Sequence, residues 1–442
     1  MLDGAPTGVD LQILVGAKWD DDLAAWRIPA DRLSGAKARL SDAGVRCSDE
    51  IRPARLEGEW AAPPLRWYQQ EALEAWRAAG DRGVVALPTG AGKTLVALAA
   101  IEQLGVATLV IVPTRVLLDQ WARLLATLSS VPIGRLGDGD HQVAPITIAT
   151  YASAVGWAPR IGDRFGLAIV DEAHHVGAWC PGELFEMLVA PARLGLTATP
   201  PGDHGALGHH VGPVIYALSI AELVGDALAE YDTVTIPIEL TPAERLTYRE
   251  ARAVFGRAFG AFQRTTPDGT WREFVRISQA TAHGRDALAA WREARGVLAY
   301  PVAKQNALRE LLALHAGDRV LVFTGDNTTA YAIARELLVM PVTCDIGRVE
   351  RAAMLERFRS GEANVLVSSQ VLDEGFDVPE AEIAIVVGGT ASVRRHVQRV
   401  GRVLRPRLGK RARVYELATQ ATTEMVQVVR RRRGLESAAV VP

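Results

Sequence analysis

The stretch "VVALPTGAGKTLVALAAI", residues 84–101, decides how the fold is read. Val84, Val85, Ala86 and Leu87 form a continuous apolar run, the pattern of a strand buried on both faces. Leu95 to Ile101 are rich in Ala and Leu and read as a helix. Between them stand Thr89, Gly90, Gly92, Lys93 and Thr94, which spells Gly-x-Gly-Lys-Thr at a strand-to-helix junction. Such a junction seats phosphate, because backbone N–H groups converge there and the helix N-terminus adds partial positive charge. In that seat Lys93 reaches the terminal phosphates and the Thr94 hydroxyl holds Mg²⁺, while Thr89, Gly90 and Gly92 line the cradle. One departure stands out: the full pattern wants glycine five residues before Gly92, and Leu87 is there. On these residues alone, a glycine-rich crossover turn remains open.

The chain has 442 residues, enough for about three domains at roughly 150 residues each. Hydrophobic residues make up 49% and charged residues 23%, which supplies several cores and excludes wholesale disorder. The formal net charge is −2, so nucleic-acid binding has to come from local patches. Cys47, Cys180 and Cys344 are far apart and lack metal-ligand spacing, which argues against a disulfide framework and fits a reducing, cytoplasmic setting. No signal peptide and no membrane span is visible.

Residues 1–58 read as a small α/β unit with no recognisable catalytic set. The proline pair in "EGEWAAPPLR" (57–66) marks a domain entry. From residue 64 to about 230, apolar strands alternate with helical stretches: "GVVALP", "TLVIVP", "ITIAT", "LAIVDE", "RLGLTAT". That rhythm predicts a parallel sheet covered on both faces. Residues 241–300 break it with helices. It returns with "RVLVFTG", "ANVLVSSQ", "AEIAIVVGG" and "ARVYELAT", a second parallel α/β domain over 301–442.

The second functional clue is "LAIVDEAHH", residues 167–175. A buried strand ends in Asp171 and Glu172, where open α/β sheets bind ligands. Beside a phosphate loop, Asp171 holds Mg²⁺ and Glu172 orients and deprotonates the attacking water. His174 and His175, without further ligands nearby, read as hydrogen-bonding links rather than metal ligands.

"LPTGAGKT", "DEAHH" and "GLTATP" (195–200) resemble motifs I, II and III of superfamily-two helicases. Other blocks follow in order. "LRWYQ" (65–69) resembles the adenine-gripping motif, which implies that role for Arg66 and Gln69. "VPTRVLLDQW" (112–121) and "TIATY" (147–151) resemble motifs Ia and Ib, and "VLVFTG" (320–325) resembles motif IV. "VSSQVLDEGFDVPEA" (367–381) resembles motif V, implying ribose or water contacts for Gly375 and Asp377. "QRVGRVLRP" (398–406) resembles motif VI. The wording of these last blocks, the small N-terminal unit and the helical insert are most similar to the XPB helicase family in its compact archaeal or bacterial form.

The resemblance implies two RecA-like parallel α/β domains forming a nucleotide cleft, with a small DNA-recognition-like N-terminal domain and a helical thumb-like insert. It implies an ATP- and Mg²⁺-dependent DNA helicase or translocase moving 3′-to-5′ on single-stranded or forked DNA, acting as a monomer in repair or transcription. Arg402 and Arg405, three apart on one helix face, would act as arginine fingers. Phosphate contacts would come from Thr114, Arg115, Thr150, Thr324, Ser368, Ser369 and Gln370; a Thr or Ser after a strand is equally a helix cap. An RNA helicase and an ATP-gated DNA-binding switch are the rival readings.

Residues 243–295 carry ten Arg against six acids, interleaved with Tyr248, Phe255, Phe259, Phe262, Trp271, Phe274 and Trp291. Basic and aromatic residues together suit strand gripping, although the spacing of Phe255, Phe259 and Phe262 is that of a core stripe. After "TATP" the family carries a charged Arg-Glu-Asp loop, whereas this chain has "PGDHGALGHH" (201–210). That segment reads as a flexible surface loop, which implies weak unaided unwinding and a partner, a nuclease or repair factor, that makes the motor productive.

Overall fold

The computed structural model describes residues 17–22, 25–42, 53–61, 63–201, 205–225, 230–369, 381–388 and 411–436. Two compact units emerge, Met1–Leu223 with Ser437–Pro442, and Val224–Glu436.

In the first unit a short hairpin comes first: β1 (Lys18–Asp20) and β2 (Ala25–Arg27) pair antiparallel. A 3-10 turn, Ala30–Arg32, leads into α1 (Leu33–Asp42), which buries Ala36 and Leu40. The main sheet then takes β3 (Arg82–Ala86), β4 (Thr108–Val112), β5 (Ile133–Gly137), β6 (Asp140–Gln142), β7 (Ile146–Thr150), β8 (Leu167–Asp171), β9 (Ala192–Thr197) and β10 (Val214–Ala217). Its order is β10-β3-β9-β8-β4-β7-β5-β6. Every pairing is parallel except β5 with β6. Between the strands run α2 (Trp67–Ala78), α3 (Lys93–Leu104), α4 (Arg115–Leu128), α5 (Tyr151–Ile161), α6 (Gly182–Glu186), α7 (Gly205–His210) and α8 (Ile220–Leu223). The continuous apolar runs of β4 and β8 are buried along their whole length, as helix-covered parallel strands require.

Chain order and spatial order part company at β3. The chain leaves β3 for β4, yet β9 and β8 lie between them. This switch leaves the carboxyl ends of β3, β9 and β8 side by side, the place where ligands enter such sheets.

The second sheet runs β11 (Glu230–Ile238), β16 (Arg411–Thr419), β15 (Ile383–Val386), β12 (Val320–Phe323), β14 (Val365–Ser368), β13 (Met340–Val342), all parallel. β11 pairs with β16 from Glu230↔Arg411 to Ile238↔Thr419, so the sheet starts before the helical insert. Pro237 in β11 is tolerated because an edge strand can leave one side of its ladder unpaired.

The insert is three helices, α9 (Pro242–Thr265), α10 (Trp271–Gln279) and α11 (Ala282–Ala299). Each starts on a threonine cap, Thr241, Thr270 or Thr281, and the first two add a Glu three residues on. Phe255, Phe262, Phe274 and Leu288 form one core and Tyr248, Ala251, Ala290, Ala294 and Leu298 another. Most of the aromatic series is therefore spent on packing, while Trp271 stays 41% exposed.

Helices α12 (Val302–Leu314), α13 (Asn327–Leu337), α14 (Arg348–Ser360) and α15 (Thr423–Glu436) cover the sheet. Two buried ion pairs anchor α15: Lys304 Nζ to Glu424 at 2.8 Å and Arg431 to Glu416 at 2.9 Å. Paired burial offsets a desolvation cost that either charge alone could not carry.

Residues 205–210 differ from the expected loop. They form α7, with Leu207 and His210 buried, because Leu207 joins the core of the first unit.

Candidate nucleotide site and strand interface

Leu87 closes β3, donating its N–H to Thr197 O at 3.0 Å, and its side chain is fully buried. This explains the departure from the phosphate-loop pattern: position 87 belongs to the strand end, where bulk is useful. The turn proper needs its glycines. Gly90 has φ 89° and Gly92 φ 76°, backbone that favours glycine. A Cβ on Gly92 would also meet Gln69 Nε2 at 2.5 Å. Lys93 Nζ donates to Leu87 O at 3.0 Å and Pro88 O at 3.3 Å, so the ammonium rests across the loop it would share with phosphate. Thr94 follows it in the first turn of α3.

Gln69 is buried and braces this loop. Its Oε1 accepts from Arg66 N at 2.9 Å, and its Nε2 donates to Ala91 O at 2.9 Å. The Tyr68 hydroxyl donates to the same carbonyl at 2.8 Å. Arg66 is exposed at the start of α2. Sequence reasoning assigned Gln69 to adenine; the structure adds that it holds the phosphate loop in shape.

Two strands away, β8 delivers Asp171 and Glu172. The register sets Ala86 opposite Thr197 and Leu196 opposite Asp171, so β9 alone separates loop and carboxylates. Asp171 Oδ2 accepts from Trp121 Nε1 at 2.9 Å and its Oδ1 from Glu172 N at 2.9 Å. Burial raises its pKa, opposed by the Trp121 hydrogen bond and the positive charge of Lys93. Glu172 sits at φ 48°, ψ 49°, a left-handed conformation that costs a non-glycine residue about 1–2 kcal/mol. The Tyr151 hydroxyl helps hold it there, donating to Asp171 O at 2.5 Å and Glu172 O at 3.1 Å. His174 Nδ1 lies 3.4 Å from Glu172 Oε2 and 3.0 Å from Thr197 Oγ1, linking the carboxylate to the end of β9. His175 stacks on Trp179 with ring centroids 4.2 Å apart.

Trp121, Tyr151 and Thr197 are functional neighbours that motif reading quoted but did not assign. Trp121 lies 50 residues from Asp171 in sequence, and only its place on the buried face of α4 hinted at a role.

The expected strand contacts separate into two groups. Thr114 caps α4 and Thr150 caps α5, each accepting a backbone N–H three residues on. Arg115 stays exposed, in an ion pair with Asp138 at 2.5 Å. Thr324 and Ser368, by contrast, are wholly buried, and Ser369 nearly so. The Thr324 hydroxyl donates to Asp326 O at 2.9 Å. In this structure these three are covered, so a strand on the surface would reach them only once they were uncovered. Gln370, Gly375, Asp377, Arg402 and Arg405 lie outside the described residues.

Residues 63–202 match the family described as "Type III restriction enzyme, res subunit", and residues 303–407 match "Helicase conserved C-terminal domain". Over 427 residues the chain is 35% identical to the "DNA 3'-5' translocase XPB2" of Sulfurisphaera tokodaii, covering 95% of this chain and 96% of that one. The chain belongs to the XPB family of superfamily-two helicases. Another XPB relative, the "DNA 3'-5' helicase XPB" of Mycobacterium tuberculosis, is 29% identical over 450 residues, covering 96% of this chain and 73% of the relative. Among solved structures, the Hef helicase domain of Pyrococcus furiosus aligns with a TM-score of 0.54 at 21% identity, covering 83% of this chain and 97% of that one. That likeness carries the fold alone: two RecA-like parallel α/β domains.

Proposed function

We propose that this chain is an ATP-dependent DNA helicase or translocase of the XPB type, moving 3′-to-5′ on DNA in repair or transcription. The observation that carries the reading is the meeting of the Lys93 loop, Thr197 and the Asp171–Glu172 pair at three adjacent strand ends. Relatives named as DNA 3′-5′ translocase and helicase support the DNA substrate and the direction, and give no support to an RNA role.

In this reading the backbone N–H groups of Thr89, Gly90 and Gly92 receive the phosphates. Lys93 exchanges its carbonyl contacts for phosphate oxygens. Arg66 and Gln69 bind the base. Glu172, pre-set by its strained backbone, takes a proton from the attacking water, and His174 passes its state to Thr197. The donor set of the Thr94 hydroxyl and Asp171 carboxylate suits Mg²⁺, a hard cation that prefers oxygen. When bound there, Mg²⁺ would neutralise charge on the phosphates. Gly375, Asp377, Arg402 and Arg405 would complete the site from the second RecA-like domain. The division into 1–58, 64–230, 241–300 and 301–442, the monomeric state and a nuclease or repair-factor partner belong to the same proposal. Thr114, Arg115, Thr150 and Gln370 would position the DNA strand. Among the described residues, no helix is long and apolar enough to cross a membrane.

Strand displacement on duplexes with a 3′ or a 5′ single-stranded tail tests this reading. ATP-dependent displacement is expected from the 3′-tailed DNA and not from its 5′-tailed or all-RNA counterparts. Preference for RNA or for the 5′ tail would overturn it.

A further inference from the structure

The segment after Thr197–Pro200 holds a group that nucleotide chemistry does not use. His209 and His210 end α7, and Asp31 sits in the 3-10 turn Ala30–Arg32 of the N-terminal region. One carboxylate oxygen and one nitrogen from each ring lie within 4.8 Å of one another.

His210 is only 7% exposed, and its Nδ1 has no hydrogen-bond partner among the described residues. Asp31 Oδ1 is buried and unpartnered in the same way. Buried polar atoms in native proteins are nearly always satisfied, so a pair left open on facing groups calls for a ligand. The ring of His210 is fixed in place. It stacks on Phe185 at 5.4 Å with an interplanar angle of 20°. Its Nε2 edge faces Gly182, where an added Cβ would come within 2.4 Å. Nδ1 is the nitrogen left to bind.

Arg82 and Arg193 lie close enough to attract the Asp31 carboxylate, yet Asp31 Oδ1 has no hydrogen-bond partner among the described residues. Arg193 spends its guanidinium on the carbonyls of Ala190, Phe185, Leu188 and His210, and Arg82 also donates to His210 O at 3.2 Å.

We propose that Asp31, His209 and His210 bind a zinc-class divalent cation that ties the N-terminal region to the segment following β9. Two imidazoles and one carboxylate are the ligand types such an ion takes, with a fourth position left for water. Bonds of about 2.1 Å would set the ligand atoms about 3.4 Å apart, so His209, exposed and able to rotate, closes the site. The bound ion would cross-link positions far apart in sequence, beside the starts of β3 and β9, where Arg82 and Arg193 both donate to His210 O. It would stiffen the segment where the family carries its charged loop.

The test is a Co²⁺ titration of the full chain, freed of any histidine tag and followed by visible d–d absorption, with Zn²⁺ as competitor. One Co²⁺ per chain is expected, displaced by Zn²⁺, with affinity falling at least about 10-fold in Asp31→Asn and in His209→Ala. The absence of saturable binding, or equal affinity in the variants, would overturn the proposal. Should Asp31→Asn lose its fold by circular dichroism, His209→Ala decides alone, since its exposed side chain is not needed for packing.

Discussion

At the scale of single residues, the site depends on side chains that hold the reacting groups as much as on those groups. Trp121 is the clearest case. Its indole N–H bonds the buried carboxylate of Asp171, favouring the ionised form that a cation requires. Trp121→Phe keeps the ring and deletes the donor. The Mg²⁺ concentration for half-maximal ATP hydrolysis should then rise about 10–100-fold, the usual effect of losing a partner to a ligating residue. A Mg²⁺ titration of the ATPase reads this directly, and an unchanged midpoint would mean that Asp171 is held by other means. The phosphate loop and Asp171–Glu172 were legible in the sequence because each is a short local pattern at a strand end. Trp121 was not, because its partner lies 50 residues away and a tryptophan on a helix reads as core. Thr114 and Thr150 show a different limit: capping a helix and facing a strand use the same residue type at the same position. In sequence the 201–210 segment reads as a surface loop, and nothing local points from His209 and His210 to Asp31, which lies far earlier in the chain in the turn Ala30–Arg32.

At the scale of elements, the helical insert stands on its first cap. Thr241 Oγ1 accepts from Glu244 N at 3.3 Å, and Glu244 returns the bond to Thr241 N at 2.9 Å. Glu244 Oε1 also accepts from Val302 N at 3.0 Å, fastening the start of α9 to the start of α12. Thr241→Ala should cost about 1 kcal/mol, measured by urea unfolding of the full chain. The carboxylate adds a pH dependence. Burial raises the Glu244 pKa, but bonds from Val302 and Thr241 outweigh this and bring it below its ordinary 4.5. A lowered folded value means the contribution is fully present above the unfolded pKa and is lost as pH falls through the folded one. The stability gap between the natural chain and Glu244→Ala should therefore shrink below about pH 4.5 and stay constant above it. A constant gap down to pH 3 would remove this role. Parallel strands were legible from their apolar runs, whereas the place of β11 was not. Its pairing with β16 joins residues 230–238 to 411–419, and nothing local announces a partner so distant.

At the scale of the whole molecule, the chain is near neutral, so its grip on DNA has to be local. Arg257 and Arg264 are exposed on α9, while Phe255 and Phe262 on the same helix are buried. Gripping by the insert should thus be mainly ionic. Replacing both arginines with Glu should weaken single-strand binding and reduce the slope of log affinity against log salt by about 1.4, with basal ATP hydrolysis kept. An equal slope would leave the insert a structural element. Hydrolysis coupled to DNA is the claim on which the rest stands, and Glu172 is where it is most exposed to test. The decisive measurement is ATP turnover of the full chain with and without single-stranded DNA, beside Glu172→Gln, with ATP affinity measured in parallel. The account predicts DNA-stimulated turnover that falls at least about 100-fold in Glu172→Gln, with ATP binding retained. Near-normal turnover in that variant would contradict it.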